Sequence, residues 1–449
     1  MSTAPVALGA ASWPHLRPAF DRINPRSAHR VALAMSALAV ASLPWLHPSG
    51  PGNSSPTDVA IVGAMAAVAV WAYASRELIR APFGISVGLL IVAGCISGVV
   101  GPYLRGSLVT IGYPQAPLIA VVQDLYLLCW CLALVNLARS AAALRVLLAA
   151  WVFAAAFWAG LLILGVTFGI TALAGIEPGN GVRADGQFGD PNMAANYFAL
   201  SILVLMSSAV PGQRWLRACL LAVLLLAMVF TGSNGGFLNL GIGITFVTLM
   251  AIRRHFGSVG MVFAALLALF VGAAASQVVH VADIQQWARD SGIPILRDWI
   301  GRSDTSANQR VIILQEAWNL YQKSGPLGTG PGATQPLLAA TMAPFPHQAH
   351  DDYVAAVIER GVQGGVALLV LISAIVWRAG QAVGGRLRPD FAAVVPRREA
   401  LIGALLGLAA AAAYYQVLHF RHVWALLAII AALQLWGRDW ESRRDWATT

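Results

Sequence analysis

The chain has 449 residues, of which 58% are hydrophobic and only 11% charged, with 29 Lys and Arg against 20 Asp and Glu and a net charge of +9. With a mean hydropathy of +0.68, this composition excludes an ordinary soluble domain. Apolar stretches near the ~20 residues that span a ~30 Å hydrocarbon core recur along the whole length.

In chain order these stretches fall at 31–47, 58–75, 84–101, 116–137, 147–172, 193–210, 218–232, 236–252, 259–277, 354–377, 399–418 and 423–437. The expected fold is therefore an all-α polytopic membrane protein with about 12 transmembrane helices. About thirty polar and basic residues precede the first run, without a cleavage pattern, so that run is read as a retained span.

Charge sets the expected topology. With the N-terminus inside, the short inner loops carry Arg76 and Arg80, Arg139 and Arg145, Arg214 and Arg217, and Arg253 and Arg254. Arg17, Arg22, Arg26 and Arg30 precede the first span; Arg378, Arg386, Arg388, Arg397 and Arg398, then Arg438, Arg443 and Arg444, complete the set. Such a bias follows the positive-inside rule and puts both termini in the cytoplasm. The basic surplus is then a topology signal and implies no nucleic-acid partner. The expected organisation is a basic cytoplasmic segment over 1–30, spans 1–9 over 31–277, a periplasmic loop over 278–352, spans 10–12 over 353–437 and a cytoplasmic tail over 438–449.

Cys95, Cys129, Cys131 and Cys219 all fall inside expected spans and define no disulfide or metal framework. Asp124, beside Gln123, sits inside the fourth span, where a carboxylate is costly and is usually paired or functional. The outer loop before the sixth span holds Arg183, Asp185 and the turn Phe188-Gly189-Asp190-Pro191-Asn192. Arg183 is its candidate for binding an anion; Asn192 reads as a capping residue. Between the seventh and eighth spans lies the turn Thr231-Gly232-Ser233-Asn234-Gly235-Gly236.

The long outer segment has its own order. Ala282 to Ser291 has helical spacing and stops at Gly292. Ser303, Asp304 and Thr305 are N-cap candidates for a helix running to about Lys323, ended by Gly325-Pro326. On that helix Arg310 shares a face with Ile313, Leu314 and Ala317, while Glu316 points elsewhere. Arg310 therefore requires an anion from outside its own helix, either a substrate phosphate or a distant carboxylate such as Asp351 or Glu359. The run Gly328-Thr329-Gly330-Pro331-Gly332 offers backbone amides that can line an anion nest, or simply a turn. Pro346 suits the first turn of a helix, which places His347, His350 and Asp351 on one face. A metal site there lacks a third well-spaced ligand. A general base is more natural, because imidazole titrates near neutrality and takes a proton from a hydroxyl.

The Phe-x-x-Pro-Asn turn ending at Asn192, the Thr-Gly-Ser-x-Gly-Gly turn at 231–236 and the outer loop from Arg310 through Gly328–Gly332 to His350-Asp-Asp-Tyr occur in this order. Together they resemble the O-antigen ligase and Wzy-type polysaccharide polymerase superfamily of bacterial inner membranes. The resemblance covers about residues 180–375 closely and the rest as topology. It implies a GT-C-like fold with a helical periplasmic loop between spans 9 and 10. It also implies metal-independent, cofactor-free glycosyl transfer from an undecaprenyl-diphosphate-linked donor to a glycan or lipid A–core acceptor at the bilayer surface.

The functional pair it implies maps onto Arg310 and His350, with His347 and Asp351 in support. Where such proteins usually carry an arginine after the serine of the tight turn, this chain has Asn234, so Arg183 is the cation expected to compensate. The rival expectation is a transporter or flippase with Asp124 as its coupling residue. A third, the shape-and-division peptidoglycan polymerases, relies on an outer-loop aspartate where this chain has histidines.

Overall fold

The computed structural model describes residues 24–47, 49–50, 54–101, 116–176, 183–278, 281–292, 297, 305–340, 343 and 351–439. Among them every extended element is a helix, and the one β-contact is an isolated bridge between Leu387 and Arg438. In chain order the main helices are α1 (Pro25–Ala41), α2 (Pro56–Ser75), α3 (Gly84–Val100), α4 (Ala116–Leu137), α5 (Ala141–Phe168), α6 (Pro191–Ser207), α7 (Arg214–Thr231) and α8 (Asn234–Val278). Then come α9 (Val281–Asp290), α10 (Thr305–Ser324), α11 (Thr334–Ala340), α12 (Asp352–Gly384), α13 (Pro389–Val394), α14 (Glu399–Ala411) and α15 (Arg421–Gly437).

Local chemistry sets many of the helix starts. Asn24, Ser140, Asp190 and Asp351 each accept a hydrogen bond from a backbone N–H one turn ahead, satisfying donors that the helix leaves unpaired. Pro25, Pro56 and Pro191 occupy first-turn positions, where a missing N–H costs nothing. Glycine in the left-handed region closes α5 at Gly169 and α7 at Gly232.

Six helices are long and apolar enough to cross a membrane, within α2, α4, α5, α7, α8 and α12, and four shorter apolar helices (α3, α6, α14, α15) accompany them. Each of the expected apolar runs lies on one of these elements or on α1. The eighth and ninth runs share α8, whose 45 residues would extend ~67 Å, about twice a hydrocarbon core. Gly257, at φ 69° and ψ −172°, breaks it near the middle.

The core is built from α4, α5, α6 and α15, around Trp130, Trp151, Tyr197 and Phe198. Trp151 stacks on Tyr197 at 6.1 Å and donates to Ser201 Oγ at 2.9 Å, so its polar edge is met inside the bundle. Glycines bring α8 and α14 together: a Cβ on Gly403 would meet the Gly243 carbonyl oxygen at 2.6 Å. Small residues permit this backbone approach, which is how helices gain contact where lipid supplies no hydrophobic drive.

The two ends of the bundle differ. At one, Arg217 donates to the Leu205 carbonyl (2.6 Å), Arg378 to Pro82 (2.9 Å) and Gln434 (2.6 Å), and Arg398 to Gly385 (2.6 Å). Arg217 and Arg398 sit on helix C-terminal carbonyls, where a cation meets the negative end of the dipole, while Arg378 ties the segment before α3 to the Gln434 side chain. At the other end the starts of α6, α8 and α12 meet the 412–420 segment, and this end carries the candidate site.

Candidate active site

Asp190 caps α6 by accepting from Asn192 N (2.6 Å) and Met193 N (3.1 Å), which presents Asn192 at the helix mouth. Arg183 reaches across this mouth. Its Nε donates to the Thr231 carbonyl at 2.9 Å and its Nη2 to Asn192 Oδ1 at 3.0 Å. Ser233 Oγ donates to the same Asn192 oxygen at 2.9 Å and itself accepts from Gly236 N. Asn192 is therefore more than a cap: it ties the turn before α6 to the turn between α7 and α8. Asn234, the first residue of α8, is exposed and makes no side-chain hydrogen bond among the described residues.

Arg310 arrives from α10. That helix docks through Ala317 against Ala355 and Ile358 of α12, with Ile313 also buried, so the expected apolar face is the packed one. The Arg310 guanidinium lies 5.9 Å from the Tyr414 ring centroid, within cation–π range. Tyr414 donates its hydroxyl to the Gly235 carbonyl at 2.6 Å and so braces the same tight turn. Burial pushes its phenol up to about 12, with the Arg310 charge pulling back. Tyr415 is also held well above the ordinary phenol range, by burial first and then by the Asp190 carboxylate to which it is bonded; Arg310 and Arg183 both act on it in the opposite direction. Both arginines thus bear on one phenol, and Arg183, Asn192, the 231–236 turn and Arg310 form one corner. Tyr414 and Tyr415 escaped sequence reasoning, because a tyrosine pair at a span boundary reads as interfacial anchoring.

Three expectations change. The glycine run is no open cradle: its amides are bonded to the chain itself. Thr329 N donates to the Ile358 carbonyl (2.9 Å), Gly330 N to the Glu359 carbonyl (2.8 Å) and Gly332 N to the Glu359 carboxylate (2.9 Å). Thr334 Oγ1 meets the other Glu359 carboxylate oxygen at 2.9 Å. The run fills a break in α12 at Gly361 (φ 71°, ψ −170°), where the helix carbonyls are free to accept. The anion in this nest is the protein's own Glu359, which also removes Glu359 as the carboxylate for Arg310.

Asp351 is not itself helical. It is the extended N-cap of α12, at φ −154° and ψ 115°, and its Oδ1 is bonded to the N–H groups of Tyr353 (2.8 Å) and Val354 (2.9 Å). Burial raises it despite those two bonds. His347 and His350 themselves lie outside the described residues, as do Pro346 and the cap candidates Ser303 and Asp304.

Asp124 is paired. Arg360 Nη1 bonds its Oδ2 at 2.5 Å and the Leu90 carbonyl at 3.1 Å, which accounts for a carboxylate inside an apolar helix. A second buried pair has no sequence signal: Arg421 Nε and Nη2 fork onto the two oxygens of Asp58 at 2.7 Å each, and Tyr126 adds a third bond at 2.7 Å. Among the described residues no three His, Cys, Asp or Glu side chains gather as a metal site.

Fold and site together define a polytopic helical membrane protein with a cation-lined corner at the bundle end away from its arginine-rich rim. The family described as O-antigen ligase matches residues 219–369, a stretch that contains the 231–236 turn, Arg310, the glycine run and the first half of α12. Over this stretch the chain is similar to the O-antigen ligase family, and the match supports the resemblance read from the motifs and suggests an enzyme of the glycosyl-transfer type. No curated protein matches the chain.

Proposed function

We propose that the protein is a membrane glycosyltransferase. It transfers or polymerises an undecaprenyl-diphosphate-linked glycan at the periplasmic face of a bacterial inner membrane, as an O-antigen ligase or an O-antigen or exopolysaccharide polymerase. The observation that carries this reading is that Arg183 and Arg310 flank one tight turn, Arg183 on the Thr231 carbonyl and Arg310 on the tyrosine that braces Gly235. Two guanidinium forks at one corner suit a diphosphate, which accepts paired hydrogen bonds. In this reading the arginine-rich rim is cytoplasmic, α8 crosses twice about Gly257, the chain crosses about twelve times in all, and the segment 278–352 is the periplasmic loop.

The acceptor hydroxyl attacks the anomeric carbon from the face opposite the diphosphate. The new carbon–oxygen bond forms as the bond to the diphosphate breaks, which inverts the centre. His350 takes the hydroxyl proton, and general-base help of this kind is typically worth ~10²–10⁴ in rate. Arg310 and Arg183 hold the charge that develops on the departing diphosphate. Asn192 fixes Arg183, and Tyr414 supports Arg310 from below. No step uses a metal or cofactor, so a chelator leaves the rate unchanged. Asp124, the coupling residue of the transporter alternative, is paired with Arg360.

The test is transfer in a purified system with lipid-linked donor. His350→Ala loses transfer while still binding donor, and wild-type activity declines on the acid side of about 6.5, the ordinary imidazole range. Undiminished turnover by His350→Ala rules out its role as the base. A reporter fused after Pro346 is periplasmic and one fused after Arg388 cytoplasmic; both on one side overturns the topology.

A further inference from the structure

We propose that a partly open cavity behind the cationic corner is the subsite for one sugar ring of the acceptor; this rests on the glycosyl-transfer reading above. The cavity has a volume of about 260 Å³ and lies between α3, α4, α12, α15 and the 412–420 segment. Its polar lining includes Gln123, Asp124, Arg360, Gln416 and His419, with Trp424 among its walls. The side chains of Gln123 and Gln416 are half-buried, and no hydrogen bond joins either amide to another described residue. Polar groups inside a membrane bundle require partners, so a dry or purely apolar filling is unfavourable.

The lining selects among ligands. A lipid tail leaves both amides unmet. A diphosphate confronts Asp124, Asp352 and Glu359, all of which border the space. A neutral, hydroxyl-rich ring fits: each amide both donates and accepts, the carboxylates accept, and the indole offers a flat apolar face to ring C–H groups. That indole is held in place by its Nε1 bond to the Leu418 carbonyl at 2.6 Å. At this volume, below the usual ~300–1,000 Å³ of ligand pockets, the cavity accommodates about one ring.

Its position supports an acceptor rather than a donor sugar. Consecutive residues of one segment serve two sites: Tyr414 and Tyr415 meet the arginines, and Gln416, Leu418 and His419 line the cavity. Asp352 locks that segment to the start of α12. Its Oδ2 accepts from Val417 N (2.7 Å) and Leu418 N (3.1 Å), and its N–H donates to the Ala412 carbonyl (2.8 Å). A thin wall therefore separates an anion-binding side from a hydroxyl-binding side, as a transfer between two substrates requires.

The experiment titrates the full-length protein in lipid nanodiscs, without donor, against methyl glycosides of gluco, galacto, manno and rhamno configuration, and separately against farnesyl diphosphate. Gln123→Leu and Gln416→Leu are each expected to weaken glycoside binding about 5-fold, the scale of one lost hydrogen bond. Ala356→Leu, which narrows the same cavity without touching a polar group, weakens it too. Farnesyl diphosphate binding stays unchanged in all three, and the acceptor KM rises with kcat held. Arg310→Ala shows the converse: glycosides bind, the diphosphate does not. The proposal is overturned if no glycoside binds the wild type, if all three cavity variants bind glycoside normally, or if they lose both ligands together. Diphosphate binding retained by Arg310→Ala would instead remove the donor reading, while the glycoside titration still decides the cavity.

Discussion

Two glycine-rich turns, at 231–236 and 328–332, look alike in sequence and serve opposite ends. Around the first, the charged side chains in contact are cations, Arg183 on the Thr231 carbonyl and Asn192 and Arg310 on the tyrosine that braces Gly235, while the nearby Asp190 carboxylate is spent on the start of α6 and on Tyr415. Around the second, the neighbour is a half-buried carboxylate, Glu359, already bonded to Gly332 N and Thr334 Oγ1. A glycine turn is thus an anion site only where the fold has left no carboxylate of its own to fill it. The first turn is part of a site with positive charge to offer; the second repairs a broken helix.

The largest expected effect breaks the second region. Gly361→Val gives no accumulating protein in membrane fractions. Its φ is in the left-handed region, and a Cβ there runs into the Pro326 carbonyl that accepts from Val362 N. Normal accumulation would show that the break is not required for folding.

Arg310→Ala comes next and breaks the first region. Transfer falls about 10²–10³-fold, the usual cost of removing a preorganised charge stabiliser, while the detergent-solubilised protein keeps its thermal midpoint. Arg310→Lys recovers little of this, since an ammonium cannot fork onto a diphosphate; near-normal turnover by the lysine variant would refute the paired-bond role. Arg183→Ala is smaller, about 10-fold in rate, because part of its bonding is spent on Thr231 and Asn192. An unchanged rate would leave Arg310 as the corner's only working cation.

A milder change sharpens the contrast. Glu359→Gln keeps the shape of the plug but trades one acceptor oxygen for a donor opposite Thr334, at a cost of about 1–3 kcal/mol in stability. The measurement is the thermal midpoint beside the transfer rate. A lower midpoint with an unchanged rate per folded molecule assigns the second turn to stability alone; a rate loss at constant midpoint would bring it into the site. Smallest of all, Tyr414→Phe keeps the ring under Arg310 and loses only the bond to Gly235, with an expected rate loss of a few-fold.

Much of the helical layout was legible in the chain because apolar runs and caps are local. Asp190 before Pro191, glycine at the ends of α5 and α7, and the buried face of Ile313 and Ala317 all follow from spacing over a few residues. The motif order that carries the resemblance to the superfamily is equally a property of sequence. Partnership across the bundle was not legible. Arg360 with Asp124, Arg421 with Asp58 and Glu359 with Gly332 and Thr334 join groups brought together only by packing, and a charge in sequence carries no mark of which opposite charge will desolvate beside it. For the same reason the tandem tyrosines stayed hidden until the 412–420 segment was seen lying between Arg310 and the start of α12. Composition and periodicity determined that this is a multi-helix membrane protein and which turns are candidates. Tertiary structure alone decided which of two similar turns keeps cations beside it, because that depends on where each helix places its carboxylates.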